Sequence, residues 1–190
     1  MIRTTHINQW FSQPAFDDAD CNAIIKLAKT SRMRPAMVLD EKRASVLDML
    51  ARNCKIAWLL PSDRTAWLYQ RINQLFTDVN DRTFKFNLDG VIETLQYVEY
   101  GPGCFYWTHT DSGASGVATR KLSMTIQLSH PSAYWGGGVR IYSGAKARHA
   151  SKARGTASIF PSHLYHRANP VWMGTRTTLT AWMRGTKPLS

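Results

Sequence analysis

Four residues carry most of the chemistry open to this chain: His109 and Asp111 in Tyr106-Trp107-Thr108-His109-Thr110-Asp111, a second histidine far downstream, and Arg176. Side chains alternate along a β-strand with period two, so a histidine and a carboxylate two residues apart face the same side. A histidine from another segment can then complete three ligands on one face of an iron ion. The opposite face stays open for a cosubstrate and oxygen, the two-His-one-carboxylate arrangement. Two histidines compete for the distant position, His163 and His166, within Phe160-Pro161-Ser162-His163-Leu164-Tyr165-His166. Arg176, ten residues past His166, offers a fixed cation for the far end of an anionic ligand. Taken alone, the His109-Thr110-Asp111 triplet fits equally a loop histidine followed by an aspartate that caps the turn at Ser112-Gly113.

These residues need a rigid frame, and the hydrophobic pattern supplies one. In the first third, Asp17 and Asp18 can cap a helix whose apolar stripe is Cys21, Ile24, Ile25, Leu27 and Ala28. Residues 32–55 read as an irregular insert: an extended piece over Met33 to Val38, a polar loop, and a short helix around Val46 to Leu50. Pro61-Ser62-Asp63 opens a second helix with Leu68, Ile72, Leu75, Phe76 and Val79 on one face, flanked by Trp67 and Tyr69 as packing residues. From about Thr83 the period changes to two. Alternation at Phe84, Phe86 and Leu88 and at Leu122, Met124, Ile126 and Leu128 predicts strands, as do 91–100, 139–143, 156–160 and 177–183. Asp89-Gly90, Gly101-Pro102-Gly103, Gly136-Gly137-Gly138 and Met173-Gly174 mark turns between them. Many short strands with glycine-rich turns predict a mainly β (α+β) fold, a jelly roll with N-terminal helices packed on one sheet.

The 190 residues suit a single domain, with 1–82 as helical support and insert and 83–190 as the jelly-roll core. A hydrophobic content of 44% is that of a globular chain. No apolar run approaches a membrane span, and Met1-Ile2-Arg3-Thr4-Thr5-His6 lacks the apolar stretch of a signal peptide. Cys21, Cys54 and Cys104 are scattered and odd in number, which predicts free thiols in a reducing compartment, the cytoplasm. The net charge of +11 attracts acidic partners, and the run 146–154, with Lys146, Arg148, Lys152 and Arg154, is either a solvated loop or a docking patch for an acidic partner or nucleic acid.

Ordered motifs go further. Leu95-Gln96, Tyr100-Gly101-Pro102-Gly103, Tyr106-x-x-His109-x-Asp111, Arg120-Lys121-Leu122-Ser123, Tyr134-x-Gly136-Gly137, Phe160-Pro161-Ser162 and the strand after Arg176 follow one another at family spacing. Over residues 95–185 the chain resembles the Fe(II)- and 2-oxoglutarate-dependent dioxygenases, within them the prolyl 4-hydroxylase-like group and its bacterial and phage PKHD-type hydroxylases. The resemblance implies His109, Asp111 and His166 as iron ligands and Arg176 as partner of the distal carboxylate of 2-oxoglutarate. Thr178 can add a hydrogen bond there, and Tyr106 and Tyr100 match positions lining the cosubstrate pocket. Aligning Phe160-Pro161-Ser162 through His166-Arg167 selects His166. Strand geometry agrees, because a spacing of three puts His163 on the opposite face. No catalytic residue is implied beyond the metal centre. His6, His130 and His149 read as structural.

The implied reaction consumes O2 and 2-oxoglutarate, gives succinate and CO2, and hydroxylates an unactivated C–H bond. The implied substrate is an amino-acid side chain in a protein, peptide or free amino acid, with ascorbate as a reductant and Trp107 and Trp135 as substrate-side aromatics. A nucleic-acid dealkylase would use the same cofactors but resembles a pattern with a second arginine where this chain has Trp182. A cupin-like binding module would be expected to lose a ligand or the arginine. One departure stands out: Gly138 replaces the acid that usually follows Gly-Gly in the family.

Overall fold

The computed structural model describes residues 9–39, 45–113, 117–144 and 146–186, so His6 and most of the polar loop after Leu39 lie outside the described residues. Two antiparallel sheets face each other as a jelly roll. The larger runs, in spatial order, Phe11–Pro14, Thr156–Pro161, Arg120–Gln127, Arg176–Gly185, Leu95–Tyr100, Lys55–Leu59 and Arg34–Pro35, with Leu88–Ile92 also paired to Arg176–Gly185. The smaller runs Lys146–His149, Val139–Ser143, His166–Ala168, Phe105–His109 and Arg52–Asn53. Tyr134–Gly136 pairs with Val171–Gly174, and Val38–Leu39 with Ser45–Val46.

Period two sorts the central strands of the large sheet into two jobs. In Arg120–Gln127, Leu122, Met124 and Ile126 are fully buried under the helices. The alternate residues Ser123, Thr125 and Gln127 face the other sheet. In Arg176–Gly185, Leu179, Ala181 and Met183 join the helix-side core, while Arg176, Thr178, Thr180 and Trp182 line a cavity. A polar face on a central strand is stable only where it meets polar partners or a ligand.

Both helices cover the apolar face. Asp18–Lys29 begins with a capping box in which the Asp17 carboxylate accepts from Asp20 N at 2.8 Å and the Asp20 carboxylate accepts from Asp17 N at 3.2 Å. It buries Cys21, Ile24 and Ala28. The second helix, Ala66–Val79, buries Leu68, Ile72, Phe76 and Val79. It starts at Ala66 because the Thr65 hydroxyl, donating to Leu60 O at 2.7 Å and accepting from Ser62 N at 2.9 Å, holds the Pro61-Ser62-Asp63 segment in a turn.

Several local expectations are overturned. The alternation at 84–88 is not a strand before Leu88, which opens Leu88–Ile92. Residues Asn80–Phe84 form a π-helical turn, and the Asn80 amide folds the chain back by accepting from Phe86 N at 2.9 Å and donating to Phe86 O at 3.0 Å. Segment 91–100 divides into Leu88–Ile92 and Leu95–Tyr100, and Asp89-Gly90 lies inside the first strand. No helix forms at Val46 to Leu50. Ser45–Val46 is a strand, and the Asp48 carboxylate accepts from Leu50 N and Ala51 N to close a turn. The first third also supplies strands to both sheets. Pro35 sits on an edge, where a missing N–H breaks no ladder.

Among the described residues no helix is long and apolar enough to cross a membrane. Cys21, Cys54 and Cys104 are free thiols.

Candidate metal centre and its cavity

Three elements bring the candidate ligands together. His109 ends the strand Phe105–His109, and His166 opens the neighbouring strand His166–Ala168 directly opposite it. Asp111 lies just beyond its strand, fixed by Asp111 N donating to Ser162 O at 2.9 Å. One ligand atom from each residue falls within 4.8 Å of the others. His166 Nε2 is 3.4 Å from one Asp111 carboxylate oxygen, and His109 Nε2 is 3.7 Å from the other. His163 sits in the turn after Thr156–Pro161, outside this trio; the turn, rather than alternation along a strand, separates it from His166.

Both imidazoles are oriented from behind. His109 Nδ1 is 2.7 Å from Trp107 O, and His166 Nδ1 is 3.0 Å from Leu164 O. A carbonyl can only accept, so each Nδ1 carries a proton and each Nε2 is turned toward Asp111. Burial pushes the His109 imidazole far below the usual histidine range, and His166 adds to the effect while Asp111 opposes it. Burial alone would raise Asp111, but His166, His109, the Ser123 hydroxyl and Arg120 outweigh it and hold the carboxyl below its usual range. Two Nε2 atoms and an ionised carboxylate turned toward one point are the donor set a divalent cation takes.

The trio opens into a cavity of about 820 Å³ that also contains Tyr100, Tyr106, Arg176 and Thr178. Arg176 is only 3% exposed, and its Nε donates to Gln127 Oε1 at 3.0 Å. Its guanidinium carbon lies 5.3 Å from the Tyr100 ring centre, and Gln127 Nε2 in turn donates to the Tyr134 hydroxyl at 3.3 Å. Among the described residues it makes no ion pair, so a buried cation on a cavity wall lacks an anion. Thr178 is buried beside it, two residues along the strand. Burial raises the Tyr100 and Tyr106 phenols, which therefore stay protonated.

Sequence reasoning missed four contributors. Arg52 is buried in the cavity wall, its guanidinium 4.5 Å from the Tyr106 ring centre and its Nη2 donating to Gln96 Oε1 at 2.7 Å. Glu93 pairs with Arg120, which stacks over Trp182 at 4.2 Å. Trp182 thus holds the place of a second arginine, with a different cation resting on its face. Ser123 and Gln127 could have been found as polar residues on a strand whose other face is wholly apolar. Arg52 gave no such signal, because its segment has no period.

The remaining expectations divide. Trp107 lines the cavity mouth and is 44% exposed, whereas Trp135 is 68% exposed and is not a cavity residue. In the basic run, Lys146–His149 is a strand paired to Val139–Ser143. Lys152 Nζ donates to Gly136 O at 2.6 Å, and Arg154 donates to Leu128 O and pairs with Asp18, so two of its cations tie the fold together. Gly136, Gly137 and Gly138 have φ of +81°, +58° and +92°, and a Cβ on Gly138 would lie 2.8 Å from Lys152 Cε. Glycine in place of the family acid therefore suits a left-handed turn closed by a lysine.

Comparison with known proteins agrees with this geometry. Residues 95–184 match the 2OG-Fe(II) oxygenase superfamily. A PKHD-type hydroxylase of Picosynechococcus is 36% identical over 94 residues, 49% of this chain and 42% of that protein. One from Sphingopyxis alaskensis is 28% identical over 126 residues, 57% of this chain and 58% of that protein. The chain thus spans about half the length of the curated relatives it matches. In fold it is similar to a Pseudomonas putida prolyl-4-hydroxylase, with TM-score 0.73 and 21% identity over 96% of this chain and 94% of that one. It is also similar to a Trichoplax adhaerens prolyl hydroxylase solved with a hypoxia inducible factor peptide fragment, with TM-score 0.73 and 16% identity over 96% and 85%. Through residues 95–184, which carry the candidate trio and Arg176, the chain matches the 2OG-Fe(II) oxygenase superfamily, and the curated relatives it is similar to are PKHD-type hydroxylases.

Proposed function

We propose that this chain is an Fe(II)- and 2-oxoglutarate-dependent dioxygenase that hydroxylates an unactivated C–H bond of an amino-acid side chain, in a protein, a peptide or a free amino acid. One observation carries the reading: a single cavity holds both a His-Asp-His cluster and a buried arginine that makes no ion pair among the described residues. In this reading residues 83–190 carry the iron ligands and Arg176, while 1–82 add the two helices, outer strands of both sheets and Arg52.

The donor set fits the group. His109, Asp111 and His166 would hold Fe(II) through two neutral nitrogens and one carboxylate, a set suited to a divalent iron with open positions. Bound with 2-oxoglutarate, the iron supplies oxidation of a C–H bond to an alcohol at the expense of O2, leaving succinate and CO2. Trp107 O and Leu164 O fix the imidazole tautomers so that both Nε2 atoms point inward. Arg176 binds the distal carboxylate of 2-oxoglutarate, where a guanidinium fork can make two charge-assisted bonds. Gln127 holds that fork from the side and Thr178 adds a hydroxyl. Tyr100 and Tyr106 wall the cosubstrate from water, which strengthens the ion pair.

Substrate enters past Trp107 and Trp58, both at the cavity mouth and both 44% exposed. The Arg120–Trp182 stack lines the same cavity deeper in, where Trp182 is buried with Arg120 over its ring. Succinate formation from 2-oxoglutarate, measured with Fe(II), ascorbate and a panel of proline peptides, free amino acids and methylated oligonucleotides, tests the reading. Stimulation by a peptide or an amino acid is expected. Stimulation by methylated oligonucleotides alone would replace it with oxidative dealkylation.

A further inference from the structure

Beside the cavity, the strand pair that carries Arg52 and Tyr106 runs on into two cysteines. Arg52 lies opposite Tyr106 and Asn53 opposite Phe105, and one further step of that antiparallel register, just past the end of the ladder, brings Cys54 opposite Cys104. Trp107 N donates to Ala51 O at 2.9 Å, which makes that pair a hydrogen-bonded one. Hydrogen-bonded and non-bonded pairs alternate along an antiparallel ladder, and the count reaches Cys54 and Cys104 on a non-bonded position. Their backbone groups agree by pointing outward: Cys54 O accepts from Ala36 N and Cys104 O from Val171 N. Facing residues come nearest at such positions, with Cα atoms about 4.5 Å apart in a regular ladder. A disulfide spans Cα separations of about 4.4–6.8 Å. Both side chains belong to one packed cluster, and both thiols are free, Cys54 buried and Cys104 partly exposed.

We propose that Cys54 and Cys104 are an oxidation site that closes reversibly to a disulfide by exchange with a low-molecular-weight disulfide such as oxidised glutathione. Cys104, the less buried of the two residues, gives its proton to water, and its sulfur attacks one sulfur of the glutathione disulfide, expelling a glutathione thiolate. Cys54 then loses its proton, attacks the Cys104 sulfur and expels the second thiolate. Two protein thiols are oxidised, one small disulfide is reduced to two thiols, and the released protons end on the two glutathiones. Burial holds the Cys54 thiol up against the opposing pull of Arg52, which suits it to the second, resolving step.

Closure reaches the cavity through shared partners. The Cys54 sulfur accepts from Arg52 Nε at 3.3 Å, and Cys54 packs in one cluster with Tyr100. Drawing that sulfur toward Cys104 breaks the bond to Arg52 and disturbs the packing on Tyr100, and both are cavity residues. On the proposed oxygenase function, the oxidised form therefore turns over more slowly.

The reduced chain is incubated with oxidised glutathione, quenched in acid, unfolded, blocked with iodoacetamide and digested for mass spectrometry, a readout independent of iron. The peptides holding Cys54 and Cys104 are expected joined, lighter by two hydrogens, with Cys21 blocked. Cys54→Ser should retain glutathione on Cys104, and Cys104→Ser should carry neither modification. Wild-type Cys54 and Cys104 recovered blocked, or joined to Cys21 as readily as to each other, overturns the site. In parallel, oxidised wild type should give several-fold less succinate, restored by dithiothreitol, while Cys104→Ser keeps its turnover under the same oxidant. Equal yields from the joined and reduced forms would refute the link to the cavity, whereas no turnover from either form would speak against the oxygenase reading alone.

Discussion

Tyr106 lies face to face with His109, the ring centres 3.5 Å apart and the planes 19° from parallel. Three residues apart on a regular strand they would point to opposite faces. Pairing with His166–Ala168 explains the exception: His109 faces His166 and Tyr106 faces Ala168, so three steps on one strand oppose two on the other. That bulge turns both rings into the cavity and leaves Trp107 and Thr108 exposed between them. Groups that orient a ligating imidazole are worth roughly 10–100-fold in metal affinity. Tyr106→Ala should weaken Fe(II) binding by about that factor in an anaerobic titration, while Tyr106→Phe, which keeps the ring, should bind Fe(II) like wild type.

Arg176→Ala removes the cation proposed for the distal carboxylate and leaves the ligand trio intact. Hydrogen bonds to a charged group contribute roughly 1.5–3 kcal/mol. The KM for 2-oxoglutarate should therefore rise about ten- to hundredfold, with Fe(II) affinity unchanged. Steady-state succinate assays and a metal titration on the same preparation separate the two effects.

Restoring the family acid at the glycine turn should harm this chain. Gly138→Glu places a side chain at φ +92° against Lys152. A left-handed conformation costs a non-glycine residue roughly 1–2 kcal/mol, so thermal unfolding should shift downward by several degrees. An unchanged midpoint would mean that Lys152 gives way freely.

Phe76 is fully buried between the second helix and the large sheet. Phe76→Ala should lower stability by about 3–5 kcal/mol, seen in urea unfolding as a lower midpoint with an unaltered slope.

How much of this was legible depends on what each residue packs against. Leu122, Met124 and Ile126 declared their strand because every second residue meets the same apolar helices. The pocket residues Arg176 and Thr178 were legible as the polar half of that alternation, once family motifs had fixed which strand it was. Phe84 and Phe86 misled for a tertiary reason: the Asn80 side chain, four residues before Phe84, bonds both backbone groups of Phe86 and overrides the local period. Arg52 was invisible because its partners are a glutamine from another sheet and a thiol two residues away, neither implied by spacing. The spacing rule that set His163 aside fails for Tyr106 and His109, since a bulge leaves no trace in sequence period.

The ligand assignment is tested most directly by anaerobic Fe(II) titration of wild type, His166→Ala and His163→Ala, each checked for folding by circular dichroism. Wild type and His163→Ala should each bind a single Fe(II) per chain with equal affinity, and His166→Ala should lose that binding. Wild-type affinity in His166→Ala, or its loss in a folded His163→Ala, would contradict the centre formed by His109, Asp111 and His166.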